Sequence, residues 1–349
     1  MTNTVQEATP GAAPSGRDFL FAIALGGVTS QMLAVAASLG IADLLIDGPK
    51  SAEQLASATG TDAASLQRVM RGLASLGVFS EDDSGQFGST AMSAAMCSDL
   101  PNSFRMVPIY LGGELYRAFG GLLQAVRSGE RAFDQTFEST YFQYLGDHPD
   151  AARVFNEAMT ALGAAAENNA VAAAYNFPAS GLVVDVGGGQ GALLAAILAA
   201  NPSIKGILFD RPGVEQSARA QLEAADVAHR ATLAGGDFFS GVPEGGDIYV
   251  LKRIIHDWDD AQSVAILKNC RTALAPAGRV LIVEDLLPPG DAPSIGKLVD
   301  VVMMALVPGR ERTTTEYRQL LERAGLSLNR VMPTASAKSI IEAVSSATV

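Results

Sequence analysis

The sequence predicts an α/β protein with a mostly helical N-terminal domain followed by a doubly wound, largely parallel sheet. Three observations support this fold class. The chain has 349 residues, which corresponds to two domains of roughly 150 residues each. A helix-turn-helix followed by a short hairpin is indicated between residues 51 and 90. From Gly181 onward, short apolar strands alternate with helical segments, as in a sheet covered by helices on both faces.

Composition excludes several classes of protein. A net charge of −12 argues against nucleic-acid binding, because phosphate neutralisation needs clustered Lys and Arg. Two cysteines, Cys97 and Cys270, are too few for a disulfide framework. With only His148, His229 and His256, a metal site with several histidine ligands is not expected. The N-terminus lacks a signal-peptide pattern and no apolar run is long enough to span a membrane, so we expect a cytoplasmic protein.

The N-terminal region begins with a predicted disordered tail, residues 1–16, which is rich in Thr, Ala, Pro and Gly. A very apolar helical segment follows from Phe19, pauses near Gly26-Gly27 and ends near Gly40. A helix this apolar must be covered, and the small domain predicted for residues 17–102 has little interior to hide it. We therefore expect a second copy of the chain to cover it, which makes a homodimer.

Local signals within residues 51–90 indicate a winged helix. Ser51 and Gln54 form a capping box, the first helix ends near Gly60, and Thr61 or Asp62 caps a second helix. The apolar face predicted for the second helix consists of Leu66, Val69, Met70, Leu73 and Leu76. A small hairpin then joins Phe79 to Phe87. Few cations and acidic flanking residues favour a scaffold over a DNA-binding module.

Residues 103–175 are predicted to be a helical linker that contributes to a ligand pocket. This stretch has more aromatic and Met residues than the rest of the chain, so some of them are expected to hold a flat apolar ligand. The segment DHPDAARVFNEAM is predicted to form a capped helix. The sheet domain is predicted for residues 176–349. It ends with two strands, 326–332 and 339–344, which we expect to pair as an antiparallel hairpin.

Ligands of open α/β sheets bind at the carboxyl ends of the strands, so the polar residues there are the candidates for function. The first strand ends in Asp185 and the turn Gly187-Gly188-Gly189-Gln190-Gly191. The spacing fits both G-x-G-x-x-A, typical of dinucleotide binding, and the G-x-G-x-G loop of class I methyltransferases. Asp210 follows the next strand, where a carboxylate accepts both ribose hydroxyls.

The next two strands also end in candidate residues. Asp237 and Phe238 follow the third strand, where an acid and an aromatic ring suit adenine, although Asp237 is equally compatible with a helix N-cap. After the fourth strand, the segment from Lys252 to Asp260, which includes the run HDWDD, brings together His256 and Trp258, the only tryptophan of the chain. A solvated charge run does not usually contain tryptophan, so we expect a functional segment rather than a structural histidine.

These motifs together resemble the small-molecule O-methyltransferases of the plant caffeate and flavonoid type and their bacterial antibiotic-tailoring relatives. The string LKxxxHDWDD downstream of DVGGG and GDFF carries the resemblance, and GRERTTTEY at 309–317 fits it. The resemblance covers nearly the whole chain. It implies a winged-helix dimerisation domain, a Rossmann-like class I methyltransferase sheet, S-adenosyl-L-methionine as cofactor, S-adenosyl-L-homocysteine as product, and no metal.

The resemblance also implies roles for individual residues. The glycine loop is implied to bind the methionine part of the cofactor, and Asp210 is implied to bind its ribose. The pair Asp237 and Phe238 is implied to bind the adenine, and Lys252 is implied to lie near the adenine or the carboxylate of the cofactor. The implied cofactor-binding set is Arg153, Asp185, Gly187, Gly189, Asp210, Asp237, Phe238 and Lys252. His256 is the implied general base, flanked by Glu284 and Glu311. We expect the acceptor to contact Asn156, Met159, Trp258, Asp300 and Met303.

The predicted reaction transfers a methyl group to the hydroxyl, most simply a phenol, of an aromatic or polycyclic secondary metabolite. A phenol has a pKa near ~10, so a nearby imidazole can take its proton as attack proceeds. Three alternatives stay open. One is a family member that binds the cofactor without methylating, the second is an NAD-dependent oxidoreductase, and the third is a transcription regulator. The oxidoreductase leaves HDWDD without a role, and the acidic net charge disfavours the regulator.

Overall fold

The structure is a computed structural model that describes residues 15–100, 103–162 and 165–346. The predicted tail lies outside the described residues except for its last two, where Ser15 caps a helix that begins at Gly16. The chain divides into two compact units. The first comprises residues 1–117 and His148–Leu162, and the second comprises Ala118–Asp147 and Gly163–Val349. The domain boundaries predicted after residues 16, 102 and 175 stay predictions.

The first half of the chain is helical except for one hairpin. Its elements are α1 (Gly16–Ala24), α2 (Gly26–Ser38), α3 (Ile41–Leu44), α4 (Ala52–Thr59), α5 (Ala63–Ser75), β1 (Phe79–Glu81), β2 (Phe87–Ser89), α6 (Ala91–Ala94), α7 (Met106–Gly112), α8 (Glu114–Phe119), α9 (Leu122–Ser128), α10 (Ala132–Phe137), α11 (Tyr141–Asp147), α12 (Pro149–Leu162) and α13 (Ala165–Ala174). This order confirms the predicted helix-turn-helix, hairpin and helical stretch.

Local capping explains where α4 and α5 begin and end. Ser51 and Gln54 form the predicted capping box, and Gly60 ends α4 in a left-handed conformation. Asp62 accepts a hydrogen bond from the backbone of Ser65 and starts α5. The α5 face packs into a core with Leu66, Met70 and Leu73 buried, whereas Leu76 is 49% exposed because the helix ends at Ser75. The prediction was therefore wrong for Leu76.

The helix α1 presents an apolar surface to solvent. Phe19, Leu20, Phe21 and Ile23 are each at least 60% exposed, and α1 has no buried residue. This is the segment whose apolar sequence predicts that another surface must cover it. Among the described residues, no single helix is long and apolar enough to cross a membrane, although the bent pair of α1 and α2 passes that test when the two are taken together.

The second half of the chain forms the predicted sheet and its helices. The elements are β3 (Gly181–Val186), α14 (Ala192–Ala200), β4 (Ile204–Asp210), α15 (Glu215–Ala224), β5 (Ala231–Gly235), β6 (Gly246–Lys252), α16 (Asp260–Ala273), β7 (Leu274–Glu284), α17 (Ile295–Leu306), α18 (Thr314–Arg323), β8 (Leu326–Pro333) and β9 (Ser339–Ser345). Short 3-10 turns cover Ala228–Arg230 and Ile255–Asp257.

The sheet has the strand order β5-β4-β3-β6-β7-β9-β8. The strands β3 to β7 are parallel, and β9 pairs antiparallel with both β7 and β8. The predicted terminal hairpin is confirmed, with the last strand inserted between its neighbours. Alternate residues of β6 enter two separate cores: Tyr249 and Leu251 join one, and Ile248 and Val250 join the other. The sheet is thus buried on both faces, which explains its continuous apolar strands.

The strand order places a topological switch point at β3. The chain passes from β3 to β4 on one side and later returns to β6 on the other side. In open α/β sheets the ligand crevice lies outside the carboxyl ends of the strands at such a point. The glycine turn after β3 and the HDWDD segment after β6 therefore lie at the position where the fold predicts a site.

Candidate active site

The glycine turn after β3 has the backbone that its sequence predicts. Gly187, Gly189 and Gly191 all have positive φ, at 70°, 54° and 78°. A Cβ at Gly187 would lie 2.4 Å from the Cδ1 atom of Ile254, so a side chain there would force Ile254 to move. A Cβ at Gly189 would meet no atom within 4 Å. The turn is thus tight on one side and open on the other, where its backbone is accessible.

Asp210 lies beside this turn at the end of β4. Its Oδ2 atom accepts a hydrogen bond from the backbone N–H of Gly189 at 2.8 Å, and its Oδ1 atom accepts one from the N–H of Arg211 at 2.6 Å. A carboxylate offers about four lone-pair positions, so capacity remains for further donors. The structure therefore brings Asp210 and the glycine turn together, as their positions after neighbouring strands predict.

Asp185, at the end of β3, is buried beneath the same turn. The side chain is 1% exposed, and its Oδ2 atom has no hydrogen-bond partner among the described residues. Burial raises the pKa of Asp185 to about 7, although the Lys252 charge opposes the rise. A buried carboxyl oxygen without a partner is costly unless a donor reaches it, so the Oδ2 atom of Asp185 is suited to a ligand that brings an N–H group.

The segment after β5 brings aromatic rings together. Asp237 does not cap a helix, because its Oδ1 atom accepts from the N–H of Phe239 at 2.9 Å in a turn, so the helix N-cap interpretation was wrong. The ring centroid of Trp258 lies 4.7 Å from that of Phe239 and 5.8 Å from that of Phe238, both edge to face. Trp258 thus packs against the Asp–Phe segment that was expected to bind adenine.

Lys252 is held by α13 at the end of β6. Its Nζ atom lies 2.7 Å from Glu167 Oε1 and donates to Asn168 Oδ1 at 2.5 Å. Burial lowers the pKa of Lys252, and the Glu167 charge opposes this effect. The ammonium is therefore paired within the chain. Lys252 is suited to fixing α13 against the sheet and to acting on a ligand through its charge.

His256 lies in the 3-10 turn Ile255–Asp257, directly after β6, and is 8% exposed. Its Nδ1 atom lies 2.8 Å from Glu311 Oε1 and 3.6 Å from Glu284 Oε2. Its Nε2 atom lies 3.6 Å from Asp257 Oδ1. The structure therefore brings together the three predicted catalytic side chains and adds Asp257. The acidic run HDWDD was the only sequence signal for this fourth residue.

Glu284, the last residue of β7, holds the turn as well as the ring. Its Oε1 atom accepts hydrogen bonds from the backbone N–H groups of Ile254, Ile255 and His256, at 3.0, 3.1 and 3.4 Å. The side chain is fully buried. Three backbone donors satisfy one oxygen of this carboxyl group, and the other oxygen faces the imidazole.

The charges around His256 determine its pKa. Burial alone would lower the pKa of His256, but the negative charges of Glu284, Asp257 and Glu311 together raise it to about 9. Burial raises the pKa of Glu284 to about 7 and that of Asp257 to about 6, and in both cases the imidazolium opposes the rise. The cluster therefore makes His256 a stronger base than a free imidazole.

The same cluster has the geometry of a cation site. His256, Glu284 and Glu311 each offer a ligand atom, and these atoms lie within 4.8 Å of one another. The hydrogen bond from Nδ1 to Glu311, however, is the arrangement that holds an imidazole in one tautomer with Nε2 directed elsewhere. The arrangement can accept a proton at Nε2 and stabilise the resulting charge.

The residues expected to contact the acceptor fall in both units. In the sheet unit, Met303 is buried on α17, and Asp300 Oδ1 accepts from the backbone N–H of Glu311 at 2.8 Å, which makes Asp300 a support for the Glu311 loop. The other unit carries Asn156, Met159 and Arg153 on α12. Arg153 is exposed there and pairs with Glu157 at 3.0 Å. Their roles stay predictions.

The parallel sheet with its antiparallel hairpin, the glycine turn and the buried histidine–carboxylate cluster define a methyltransferase with a Rossmann-like fold. Comparison with known families identifies which one. Residues 119–327 match the O-methyltransferase domain, and residues 21–99 match the O-methyltransferase dimerisation domain. The chain belongs to this O-methyltransferase family, with S-adenosylmethionine as cofactor, and the predicted family, enzyme class and fold class are confirmed.

Relatives extend over nearly the whole chain. The phenazine O-methyltransferase PhzM of Lysobacter antibioticus is 46% identical over 95% of this chain and 97% of its own length. The crystal structure of LaPhzM matches with a TM-score of 0.89 and 45% identity over 95% and 99% of the two chains. The O-methyltransferase NcsB1 of neocarzinostatin biosynthesis, solved with S-adenosylmethionine and 2-hydroxy-5-methyl naphthoic acid, matches with a TM-score of 0.81 and 32% identity over 96% and 100%.

Proposed function

We propose that the chain methylates a phenolic hydroxyl of a planar, multi-ring aromatic metabolite, with His256 as the general base. The observation that carries this proposal is the asymmetry of the imidazole. Glu311 occupies Nδ1 at 2.8 Å, which leaves Nε2 as the nitrogen that takes a proton. Glu284 and Glu311 stabilise the imidazolium that forms, as the carboxylate does in a catalytic triad.

The raised pKa of His256 suits a phenolic acceptor. A phenol has a pKa near ~10, so an imidazole whose pKa is about 9 takes its proton with little change in free energy. An imidazole at the ordinary value of 6.5 would be a much weaker acceptor for the same proton. Proton transfer and methyl transfer then proceed together as the acceptor oxygen attacks, and positioning of that oxygen supplies much of the remaining rate.

The residues at the carboxyl ends of β3, β4 and β5 fit S-adenosylmethionine. When bound, this cofactor supplies a methyl group on a positively charged sulfur. Gly187 and Gly189 are assigned to its methionine part: the backbone is open at Gly189, and a side chain at Gly187 would displace Ile254. Asp185 is buried, and its Oδ2 atom, which has no partner among the described residues, suits the amino group. Asp210 accepts from the ribose hydroxyls. Asp237 and Phe238 are assigned to the adenine, Lys252 acts there through its charge, and Arg153 is assigned to the cofactor carboxylate.

The acceptor is proposed to be a fused aromatic ring system. The relatives are named for phenazine and neocarzinostatin chemistry, and one of them was solved with a naphthoic acid. The residues that we assign to the acceptor side are Asn156, Met159, Trp258 and Met303. Asp300 acts on it indirectly, because it holds the backbone of Glu311. A cytoplasmic location is also proposed, since both cysteines are free and buried.

We further propose that the chain is a homodimer that covers α1. Phe19, Leu20 and Phe21 are each more than 60% exposed, and the match to the dimerisation domain begins within the same helix, at residue 21. A contiguous apolar surface of this kind marks an interface. Light scattering at micromolar concentration should show twice the mass of one chain. In Phe21→Ser the measured mass should fall toward that of a single chain. A wild-type monomer would contradict the proposal.

Mass spectrometry with a panel of hydroxylated phenazines and naphthoates tests the reaction. For the base, we expect His256→Ala to lower kcat by about 10²–10⁴ while the affinity for S-adenosylhomocysteine, measured by calorimetry, stays nearly unchanged. His229→Ala, a change at an exposed histidine, is the matched control and should leave kcat unaltered. Undiminished turnover in His256→Ala would remove the base assignment.

A further inference from the structure

We propose that Arg312 is a positioning residue that fixes His256 through the main chain of its turn. The inference rests on the proposed function of His256. The guanidinium of Arg312 donates from one nitrogen to the carbonyl oxygen of Ile255 at 3.1 Å, and from another to the carbonyl oxygen of Trp258 at 3.0 Å. It therefore bridges the residue before His256 and the residue that ends the turn.

The planar, five-donor head of an arginine makes this bridge possible, and a lysine cannot reproduce it. Arg312 is fully buried and is the largest such side chain among the described residues. Its charge is balanced by Asp260, whose Oδ1 atom lies 2.9 Å from the guanidinium. A buried cation requires such a partner, so the ion pair secures the position of the head between the two carbonyl groups.

Gly309 brings the same segment into direct contact with the turn. A Cβ at Gly309 would lie 1.8 Å from the carbonyl oxygen of His256, 2.4 Å from the carbonyl carbon of Asp257 and 2.5 Å from the nitrogen of Trp258. These are backbone atoms, so only glycine permits this approach without a shift of the main chain.

Residues 309–312 therefore contact His256 in two ways. Glu311 binds its ring at Nδ1, and Gly309 with Arg312 contacts the main chain on both sides of it. One short segment thus sets both the location of the Cα atom and the direction of the imidazole. Since a displacement of about 1 Å costs about 10²-fold in rate, this double attachment governs how Nε2 meets the acceptor hydroxyl.

The turn keeps other partners when Arg312 is altered. Ser263 Oγ lies 3.3 Å from the carbonyl oxygen of Ile255 and 3.2 Å from that of Trp258, and Glu284 still accepts from the backbone N–H groups. We therefore expect Arg312→Lys to fold. Arg323 offers a matched control, because it pairs with the same Asp260 at 3.4 Å from an exposed position and makes no hydrogen bond to the turn among the described residues.

The test is a double-mutant cycle between positions 312 and 256. We expect Arg312→Lys to lower kcat by about 10- to 100-fold, with the S-adenosylhomocysteine Kd within about twofold of wild type. Arg323→Met should change neither. In a His256→Ala background, Arg312→Lys should have no further effect, because the group it positions is gone. An unchanged kcat, or a full additional loss in that background, would overturn the proposal.

A second readout is independent of turnover. The chain has only three histidines, so the ring nitrogens of His256 are identified in ¹⁵N spectra by comparison with His256→Ala. Arg312→Lys should shift the His256 ring signals and Arg323→Met should not; unshifted signals count against positioning. If Arg312→Lys does not fold, Asp260→Asn takes its place in both experiments, because it removes the charge that holds the Arg312 head and lies at a partly exposed position. If His256→Ala retains turnover, the base assignment fails, and the ring signals alone decide the positioning role.

Discussion

Asp257 offers the sharpest test of how the cluster tunes its base. Its Oδ1 atom lies 3.6 Å from Nε2 of His256, the nitrogen assigned to the chemistry. At this separation, two unit charges interact by about 1 kcal/mol in bulk water and about 5 kcal/mol at an effective dielectric constant of about 20. Because about 1.4 kcal/mol corresponds to one pKa unit, Asp257→Asn should lower the pKa of His256 by about one to three units.

The sign of the change follows from the charge. Asp257 raises the pKa of His256 to about 9 together with Glu284 and Glu311, so neutralising it favours the uncharged imidazole. The base must be uncharged to act, so kcat/KM rises with pH as His256 loses its proton. In the wild type this rise should be centred near 9, and in Asp257→Asn it should move to lower pH by at least about one unit.

The assay is methyl transfer measured from pH 6 to pH 10, paired with an NMR titration of the His256 ring without acceptor. The titration separates ionisation of the base from ionisation of the phenol, whose pKa is also near ~10. Glu322→Gln removes the same charge from an exposed helix position and should leave the profile in place. If the rise and the NMR titration stay at the wild-type pH in Asp257→Asn, the charge argument for this cluster is refuted.

Three further predictions concern the cofactor, the stability and the core. Asp210→Asn should raise the S-adenosylhomocysteine Kd by about 10- to 100-fold in calorimetry, the loss expected for one hydrogen bond to a charged group. The pKa of His256 is raised from 6.5 to about 9, so its charge stabilises the fold fully below pH 6.5. Up to about 3 kcal/mol of this is lost as pH rises to 9, and the midpoint of urea unfolding of the wild type should fall across that range; an unchanged midpoint would contradict the raised pKa. Leu73→Ala should lower the free energy of unfolding by about 2–5 kcal/mol, because Leu73 is fully buried, and an exposed Leu76→Ala should not.

Much of the fold was predictable because its signals are local. Ser51, Gly60 and Asp62 mark helix ends through contacts within four residues, and such contacts can be found in the sequence itself. The strands were predictable for a different reason. A sheet buried on both faces needs continuous apolar runs, and these runs stand out against the helices between them.

The candidate site was predictable where residues follow a strand directly. Asp185, Asp210 and His256 all lie at or just after the carboxyl ends of parallel strands, so strand assignment alone brings them to one edge. Glu284 and Glu311 both came from the family resemblance. Glu284 ends β7, so the same rule could have found it, whereas Glu311 lies in a loop after α17, where no strand places it.

The remaining contacts depend on side-chain directions that a sequence pattern does not contain. Asp257 is adjacent to His256, yet only the 3-10 turn shows that its carboxyl group faces Nε2. Arg312 binds carbonyl groups more than fifty residues away along the chain. Trp258 was assigned to the acceptor, and its contact with Phe238 and Phe239 depends on how the loops after β5 and β6 pack.

The excess of carboxylates around His256 has a further consequence under the proposed function. Each carboxyl group has a different partner: Glu284 accepts from three backbone N–H groups, Glu311 contacts Nδ1 of the imidazole, and Asp257 lies 3.6 Å from Nε2. A cationic sulfur near the acceptor would lower the pKa of a nearby imidazole. The three negative charges offset that effect, so the imidazole retains enough basicity to accept a phenol proton when the cofactor is bound. The charges that raise the pKa of His256 in the free enzyme therefore also keep the imidazole basic beside a positively charged methyl donor.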